Sequence, residues 1–349
     1  MRTLSTLGKL PWGSLLVGVT TVLALPWSAT ANTAADLDSC LLAVIRQAPD
    51  SMTVGAARKQ CRAAKATVND DDGEAMASVA PGAVHARLTV DQENVLKPFT
   101  LMSHKSNYFL PAAYNSQAWN SDEFAKAENV DDYHLDDVEA QFQLSIKTPL
   151  AVNLFDEPLD IFVGYTVRSF WQVYNRDLSS PFRETDHEPE LWVQHRPGWQ
   201  LFGFRNSINF LGLSHQSNGQ SANLSRSWNR AYAAMVFERG NFAAILKPWV
   251  RIAEDAEDDD NPDISDYLGY GEVGMGYKRQ DHTFTVIVRN ALESDFARGA
   301  VQLDWSFPLF GYEYIKGYLQ YFSGYGQSLI DYDHYVNQIG LGILVTDVL

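Results

Sequence analysis

Positive charge is scarce in this sequence. Its 349 residues contain 27 Lys and Arg against 43 Asp and Glu, which gives a formal net charge of −16 at pH 7. A surface that follows a nucleic-acid backbone needs clustered lysine and arginine, so the composition argues against nucleic acid as a partner. Hydrophobic residues make up 46% of the chain and charged residues 20%, a balance that is too apolar for a disordered protein. We therefore expect a chain that buries a sizeable core.

Long apolar runs are missing after residue 31. No stretch there reaches the length of about 18 apolar residues that a transmembrane helix needs. Before residue 31, Arg2 and Lys9 precede an uncharged, mostly apolar stretch over 15–27, which Ala29-Thr30-Ala31 follows. That stretch is short for a single membrane anchor, and its flanks are typical of a cleaved export signal. We predict that 1–31 is a signal peptide and that the chain is exported.

Cysteine occurs only twice, at Cys40 and Cys61. Apolar residues recur at helical spacing before the turn residues at 49–51, and the two cysteines lie at equal distances from that turn. An antiparallel helical hairpin over 32–65 would place them side by side, and an oxidising compartment favours a Cys40–Cys61 disulfide over two unpaired core thiols. The Ala-rich and then acidic segment that follows predicts a linker over 66–94.

From about residue 95 to the end, apolar and polar residues alternate. The runs at 138–150, 242–252 and 301–309 each present one apolar face. Several runs hold this alternation for about 10–12 residues, longer than the ~5–6 of sandwich strands and close to the ~9–11 that cross a bilayer. Charges in the other phase, such as Lys147, Arg230 and Glu238, suit a polar lumen.

We therefore predict an all-β protein. Over 95–349 the chain should form a transmembrane antiparallel β-barrel of about 12 strands, with a small N-terminal helical extension. A soluble sandwich or barrel is the alternative architecture for alternating strands, and strand length argues against it.

The stretch around His215 carries the candidate chemistry. His215 and Ser217 are two residues apart in a predicted strand, so both side chains leave the same face, about 7 Å apart at the backbone. A serine hydroxyl becomes a strong nucleophile when an adjacent base takes its proton, and the histidine needs a third group to hold its tautomer. Asn229, on the following strand, could be that group.

The phase of the alternation places this trio on the outer wall. Leu211 and Leu213 share the phase of His215 and Ser217, whereas Arg230 and Glu238 of the next strand have the opposite phase to Asn229. Polar groups that face lipid are costly, so a functional reason for them is favoured over chance.

These residues belong to a longer pattern that resembles the outer membrane phospholipase A family. The matching stretches run in family order across about 97–349: SSPFRET at 179–185, HQSNG at 215–219, SRSWNR at 225–230, KPW at 247–249, DDNPDI at 259–264 and YFSGYGQSLIDY at 321–332. The resemblance implies a twelve-stranded barrel in the bacterial outer membrane. It also implies hydrolysis of the sn-1 and sn-2 acyl esters of phospholipids and of lysophospholipids, by a calcium-dependent homodimer.

The resemblance also assigns roles to residues. Ser217 would be the nucleophile, His215 the base and Asn229 the orienting residue, on the lipid-facing wall. The calcium (Ca2+) ligands would fall on Gln220, Ser225 and Asp260, with Ser179 reaching in from the partner subunit. Gln220 stands where the family pattern has arginine, which matters little if that position binds through its carbonyl oxygen.

Two other functions remain open from the sequence. A non-enzymatic outer membrane porin or receptor would use the same barrel but leave the outward trio without a purpose. A soluble secreted esterase conflicts with the strand lengths, and the sequence contains no Gly-x-Ser-x-Gly elbow.

Overall fold

The structure is a computed structural model that describes residues 82–97, 100–257, 259–290 and 297–349, together with Val44. The chain divides into two compact units, residues 1–78 and 79–349, and every described residue except Val44 belongs to the second unit. The predicted signal peptide at 1–31, the hairpin at 32–65 with its Cys40–Cys61 pair, and the linker up to residue 81 lie outside the described residues, Val44 excepted.

Twelve long strands dominate the described part of the second unit. They are β1 Asn107–Asn115, β2 Val138–Ala151, β3 Leu159–Trp171, β4 Phe182–His195, β5 Phe204–Ser217, β6 Ser227–Arg239, β7 Phe242–Ile252, β8 Gly271–Arg279, β9 His282–Asn290, β10 Gly299–Leu309, β11 Tyr312–Gly324 and β12 Val336–Thr346. Each pairs with its neighbours in antiparallel register, and β12 pairs with β1, so the sheet closes on itself. The predicted all-β barrel of about 12 strands is confirmed.

Shorter elements lie between and beside these strands. They are the two-residue strands Met102–Ser103 and Gln200–Leu201, the helices α1 Ala83–Asn94, α2 Asp122–Glu128 and α3 Ile264–Leu268, and the 3-10 turns Leu154–Asp156 and Ala222–Leu224. Among the described residues, no helix has the length and apolarity to cross a membrane.

The alternation seen in the sequence separates an outer wall from an interior. On β5, Leu211 and Leu213 are 67% and 53% exposed, whereas Gly212 between them and Ser214 after them are buried. Because successive side chains of a strand point to opposite faces, the exposed leucines define the apolar outer wall and Ser214 points inward.

Side chains fill the interior of the barrel. Arg183 and Glu139 are wholly buried and form an ion pair at 2.9 Å, and Arg183 also pairs with the buried Asp331. Gln141 donates a hydrogen bond to Gln338 at 2.8 Å across the same space. A charged group away from water is tolerated when it is paired and hydrogen-bonded, and the members of this network satisfy that condition for one another.

A helix stands where the second half of the predicted linker was expected. In α1, Val84 and Leu88 pack against Ile208 and Ala243, and the backbone N–H of His85 donates to Glu238 Oε2 at 3.0 Å. The linker prediction for this part of 66–94 therefore differs from the structure. The contacts that hold the helix come from strands that are distant in sequence, so the local composition of this segment does not predict them.

Candidate active site

Strands β5 and β6 bring the predicted triad residues together on the outer wall. In their antiparallel register His215 lies directly opposite Asn229, and Ser217 lies opposite Ser227. His215 is exposed, and Ser217 and Asn229 are half-buried. All three side chains share the face of Leu211 and Leu213, so the site opens toward the surroundings of the barrel and not toward its lumen.

One hydrogen bond joins the imidazole to the amide. His215 Nδ1 and Asn229 Oδ1 are 2.8 Å apart. An amide oxygen can only accept, so this contact requires the hydrogen of the neutral ring to be on Nδ1. The other ring nitrogen, Nε2, then carries a lone pair and can accept a proton.

Ser217 lies on the same face of β5 as His215. In the part of the chain that the structure describes, no hydrogen bond joins the two side chains, which agrees with a separation of about 7 Å between alternate residues of a strand. Bonds between catalytic groups are often long in an enzyme without substrate and shorten in the complex. Ser217 also lies opposite His187 of β4, whose Nδ1 is 2.5 Å from Tyr165 Oη.

Asn218 organises the turn that follows the serine. Its amide nitrogen donates to Leu224 O at 2.8 Å and to Glu184 Oε1 at 3.1 Å. Its oxygen accepts from the backbone N–H groups of Gln220 at 3.2 Å and Arg226 at 3.0 Å. A single buried side chain thus ties both ends of the segment between β5 and β6 to the barrel interior.

The structure brings only some of the four predicted metal ligands together. Ser225 Oγ donates to Asp260 Oδ2 at 2.5 Å, which joins the β5–β6 turn to the acidic segment after β7. Gln220 lies in the same turn with an exposed side chain. Ser179 is exposed in the turn between β3 and β4 with a φ of +61°. Within the described ranges, no hydrogen bond links Ser179 to the other three residues.

The donors present are those that a hard cation prefers. Among the residues the structure describes, no group of three or more His, Cys, Asp and Glu side chains is arranged to hold a metal ion. Ser225, Asp260 and Gln220 instead offer hydroxyl, carboxylate and carbonyl oxygens, and oxygen ligands of this mixed kind are typical of calcium. This donor chemistry fits a calcium ion and not a zinc ion.

The two residues that flank Asp260 have structural partners. Asp259 pairs with Arg251 at 2.5 Å and accepts from the backbone N–H of Asn261 at 3.1 Å. Asn261 is fully buried, and its oxygen accepts from the backbone N–H of Ser227 at 2.9 Å. These bonds position the start of β6, the strand that carries Asn229.

The sequence prediction missed Glu254. Asn229 Nδ2 donates to Glu254 Oε1 at 2.5 Å, on the side of the amide that faces away from His215. A signal existed, because Ile252 lies opposite Asn229 and Glu254 is two residues further along, in the same phase. The alternation of the sequence did not show that Glu254, which lies beyond the end of β7, has its side chain on the outer side of the barrel.

Comparison with known proteins finds relatives that share both the sequence and the barrel. The phospholipase A1 family model matches residues 84–345. A phospholipase A1 of Klebsiella pneumoniae is 33% identical over 270 residues, which span 76% of this chain and 88% of that protein. The solved structure of outer membrane phospholipase A from Escherichia coli is 33% identical, with a TM-score of 0.65 over 72% of this chain and 100% of its own. A Salmonella typhi outer membrane phospholipase, solved as a dimer with bound calcium, is 32% identical, with a TM-score of 0.66 over 74% and 97% of the two chains.

Proposed function

The chain belongs to the phospholipase A1 family, and we propose that it hydrolyses the sn-1 and sn-2 acyl esters of phospholipids and lysophospholipids in the bacterial outer membrane. The observation that carries the proposal is the 2.8 Å bond from His215 to Asn229 on the outer wall beside Ser217. Acyl chains of a bilayer lie against that wall, so the ester reaches the site without entering the barrel.

The reaction follows from the three side chains. The Oγ of Ser217 attacks the ester carbonyl while His215 Nε2 takes its proton, and the imidazolium then gives that proton to the departing alcohol oxygen of the lysophospholipid. A water repeats the sequence on the acyl-enzyme and releases the fatty acid. Asn229 holds the Nδ1–H of His215 throughout and stabilises the positive ring.

Calcium is the proposed cofactor. Ser225, Asp260 and Gln220 would hold it, with Ser179 supplied by a second subunit. When bound, the ion would polarise the ester carbonyl, directly or through a water, and offset the charge of the oxyanion. The turn that Asn218 fixes directly follows the nucleophile and would carry two of the metal ligands, so the two parts of the site would be held together.

A homodimer is the proposed active form. Ser179 is exposed and separate from the other ligands within one chain, which supports a role toward a neighbouring copy. The Salmonella typhi relative is a dimer with bound calcium, and we extend both properties to this chain. Assembly of the site from two subunits would keep the enzyme silent in its own membrane until dimers form.

The porin or receptor alternative has less support. The ion pairs of Arg183 with Glu139 and Asp331 are wholly buried in the barrel interior. A diffusion channel needs an open aqueous lumen, whereas this network occupies it. A non-enzymatic receptor also gives no reason for His215 and Asn229 to face lipid.

Covalent labelling tests the proposal. A serine-directed fluorophosphonate should modify Ser217 of the detergent-solubilised protein when calcium is present, and chelation should slow the modification strongly. Peptide mapping locates the label. Ser217→Ala should remove the label, and the matched variant Ser116→Ala, at an exposed serine elsewhere on the rim, should keep it. Labelling of folded protein at any residue other than Ser217 would contradict the assignment.

A further inference from the structure

The acidic segment after β7 places one carboxylate directly behind the asparagine of the triad. We propose that Glu254 is a positioning residue of the hydrolase, which fixes the orientation of the Asn229 amide and, through it, the tautomer of His215. The inference rests on the proposed function and adds a residue to it. Glu254 would touch neither the substrate nor the ester carbonyl.

Two consecutive hydrogen bonds connect the three side chains on the outer wall. Glu254 Oε1 accepts from Asn229 Nδ2 at 2.5 Å, and Asn229 Oδ1 lies 2.8 Å from His215 Nδ1. The β6–β7 register explains the alignment, because Ile252 stands opposite Asn229 and Glu254 follows it in the same outward phase. These bonds therefore run from the end of β7 across β6 to β5.

An asparagine amide alone does not specify a histidine tautomer. Its oxygen and its nitrogen are nearly the same size, so the group can rotate by half a turn and present either atom to the ring. With the nitrogen turned toward Nδ1, the ring would hold its hydrogen on Nε2, and that nitrogen could not accept the proton of Ser217. A lone Asn229 would permit both arrangements.

Glu254 removes the unproductive arrangement. An ionised carboxylate only accepts hydrogen bonds, so it binds the Asn229 nitrogen and opposes its oxygen. The amide oxygen is thereby directed at His215, and the ring hydrogen is held on Nδ1. An aspartate in the same triad position needs no such partner, because both of its oxygens accept.

No cation among the described residues competes with Asn229 for the Glu254 carboxylate. Among the described residues, no Lys, Arg or His forms an ion pair with it, whereas Asp259 in the same segment pairs with Arg251. Its negative charge is therefore available to the Asn229 amide and, through that amide, to the imidazolium. Asp260, six residues along, bonds to Ser225 instead, so the two acidic side chains serve different parts of the site.

The first test is a pair of substitutions at this position. Glu254→Ala should lower kcat by about 5- to 50-fold, since it removes a charge-assisted hydrogen bond that is felt most when the ring is positive, and KM should stay within about twofold. Glu254→Gln keeps an accepting oxygen without the charge. Its kcat should be at least threefold higher than that of Glu254→Ala. Glu257→Gln makes the same change of charge at an exposed residue of the same segment and should leave kcat unchanged.

The decisive test is the double variant with Asn229. If Glu254 acts only through the amide, Glu254→Ala should cost nothing further in an Asn229→Ala background, and the double variant should lie within about twofold of Asn229→Ala. The assay is release of fatty acid from phospholipid in mixed micelles at saturating calcium. Heat-modifiable migration in electrophoresis shows that each barrel is folded.

Three results would overturn the inference. A full additional loss in the double variant would show that Glu254 acts elsewhere. A rise of tenfold or more in the calcium concentration for half-activity, with an unchanged kcat at saturation, would make it part of the metal site. Wild-type activity of a folded Glu254→Ala variant would make the contact incidental. If the wild-type protein itself releases no fatty acid, or Ser217→Ala is as active, the proposed function fails instead.

Discussion

Replacing Asn229 with alanine should lower turnover by about 10- to 150-fold. The substitution removes one 2.8 Å hydrogen bond to His215. In the proposed mechanism the His215 ring becomes positive in the transition state. Hydrogen bonds to charged groups contribute about 1.5–3 kcal/mol, and each ~1.4 kcal/mol is a factor of ten in rate. The nucleophile and the base both remain in the variant, so the chemistry continues at the reduced rate.

The barrel should keep its fold in this variant. Asn229 is half-buried on the outer wall and makes side-chain contacts only with His215 and Glu254 among the described hydrogen bonds. Loss of a surface group of this kind changes the free energy of unfolding by about 1 kcal/mol or less. The heat-modifiable electrophoretic shift in detergent should therefore match that of the unsubstituted protein.

The measurement compares Asn229→Ala with His215→Ala under the same conditions. Initial rates of fatty-acid release at saturating substrate and calcium give kcat for each. His215→Ala removes the general base and should cost several orders of magnitude, far more than the asparagine variant. Equal losses in the two folded variants would refute the view that Asn229 only orients and stabilises the ring.

Other predictions address the nucleophile, the metal, the N-terminal unit and the barrel interior. Ser217→Ala should leave a heat-stable barrel with less than a few per cent of the activity. Chelation of calcium should abolish hydrolysis and loosen the dimer together, since Ser179 of one copy would complete the ligand set of the other; full activity of a cross-link-verified monomer in excess chelator would contradict this. Deletion of 32–78 should preserve insertion and hydrolysis, because α1 and every proposed site residue remain; a folded but inactive product would give that unit a role in the site. Arg183→Met should destabilise the barrel by about 3–5 kcal/mol, because it leaves two buried carboxylates unpaired; an unchanged urea midpoint would argue against the buried network.

The alternation of the sequence was enough to predict the wall of the barrel. Leu211, Leu213 and His215 share one phase, and a strand has only two faces, so one assignment of lipid and lumen sets the direction of every side chain. Strand length then separated a membrane barrel from a sandwich. These are local properties, which is why they could be read without a structure.

The helix α1 depends on distant residues and was not predictable in this way. It presents only Val84 and Leu88 to the barrel as buried apolar side chains after Ala83, which is a weak helical pattern. Polar contacts also anchor it: Glu238 accepts from the His85 N–H, Lys147 binds Asp91 at 2.6 Å, and Arg87 donates to Asp347 O at 2.9 Å. Helices in proteins owe most of their stability to such tertiary contacts, so the local composition of this segment pointed to a linker.

The pairing of His215 with Asn229 depends on the length and shape of the turn between their strands. Their 14-residue separation is compatible with opposition only when the segment 218–226 closes in one particular register. A slip of one residue would send Asn229 into the lumen and bring a charged residue, Arg230, to the lipid face. The sequence could therefore nominate Asn229 as a partner but could not specify its position.

Asn218 supplies the missing constraint from inside the barrel. It is 4% exposed, it bonds to both ends of the turn, and its amide donates to Glu184, which is itself 1% exposed and accepts from the backbone N–H of Ile330. The register that places the proposed triad on the outer wall is thus held by the polar network of the lumen. A buried polar network of this kind costs stability unless every member is satisfied, and here it sets the geometry of a site on the opposite face of the same strand.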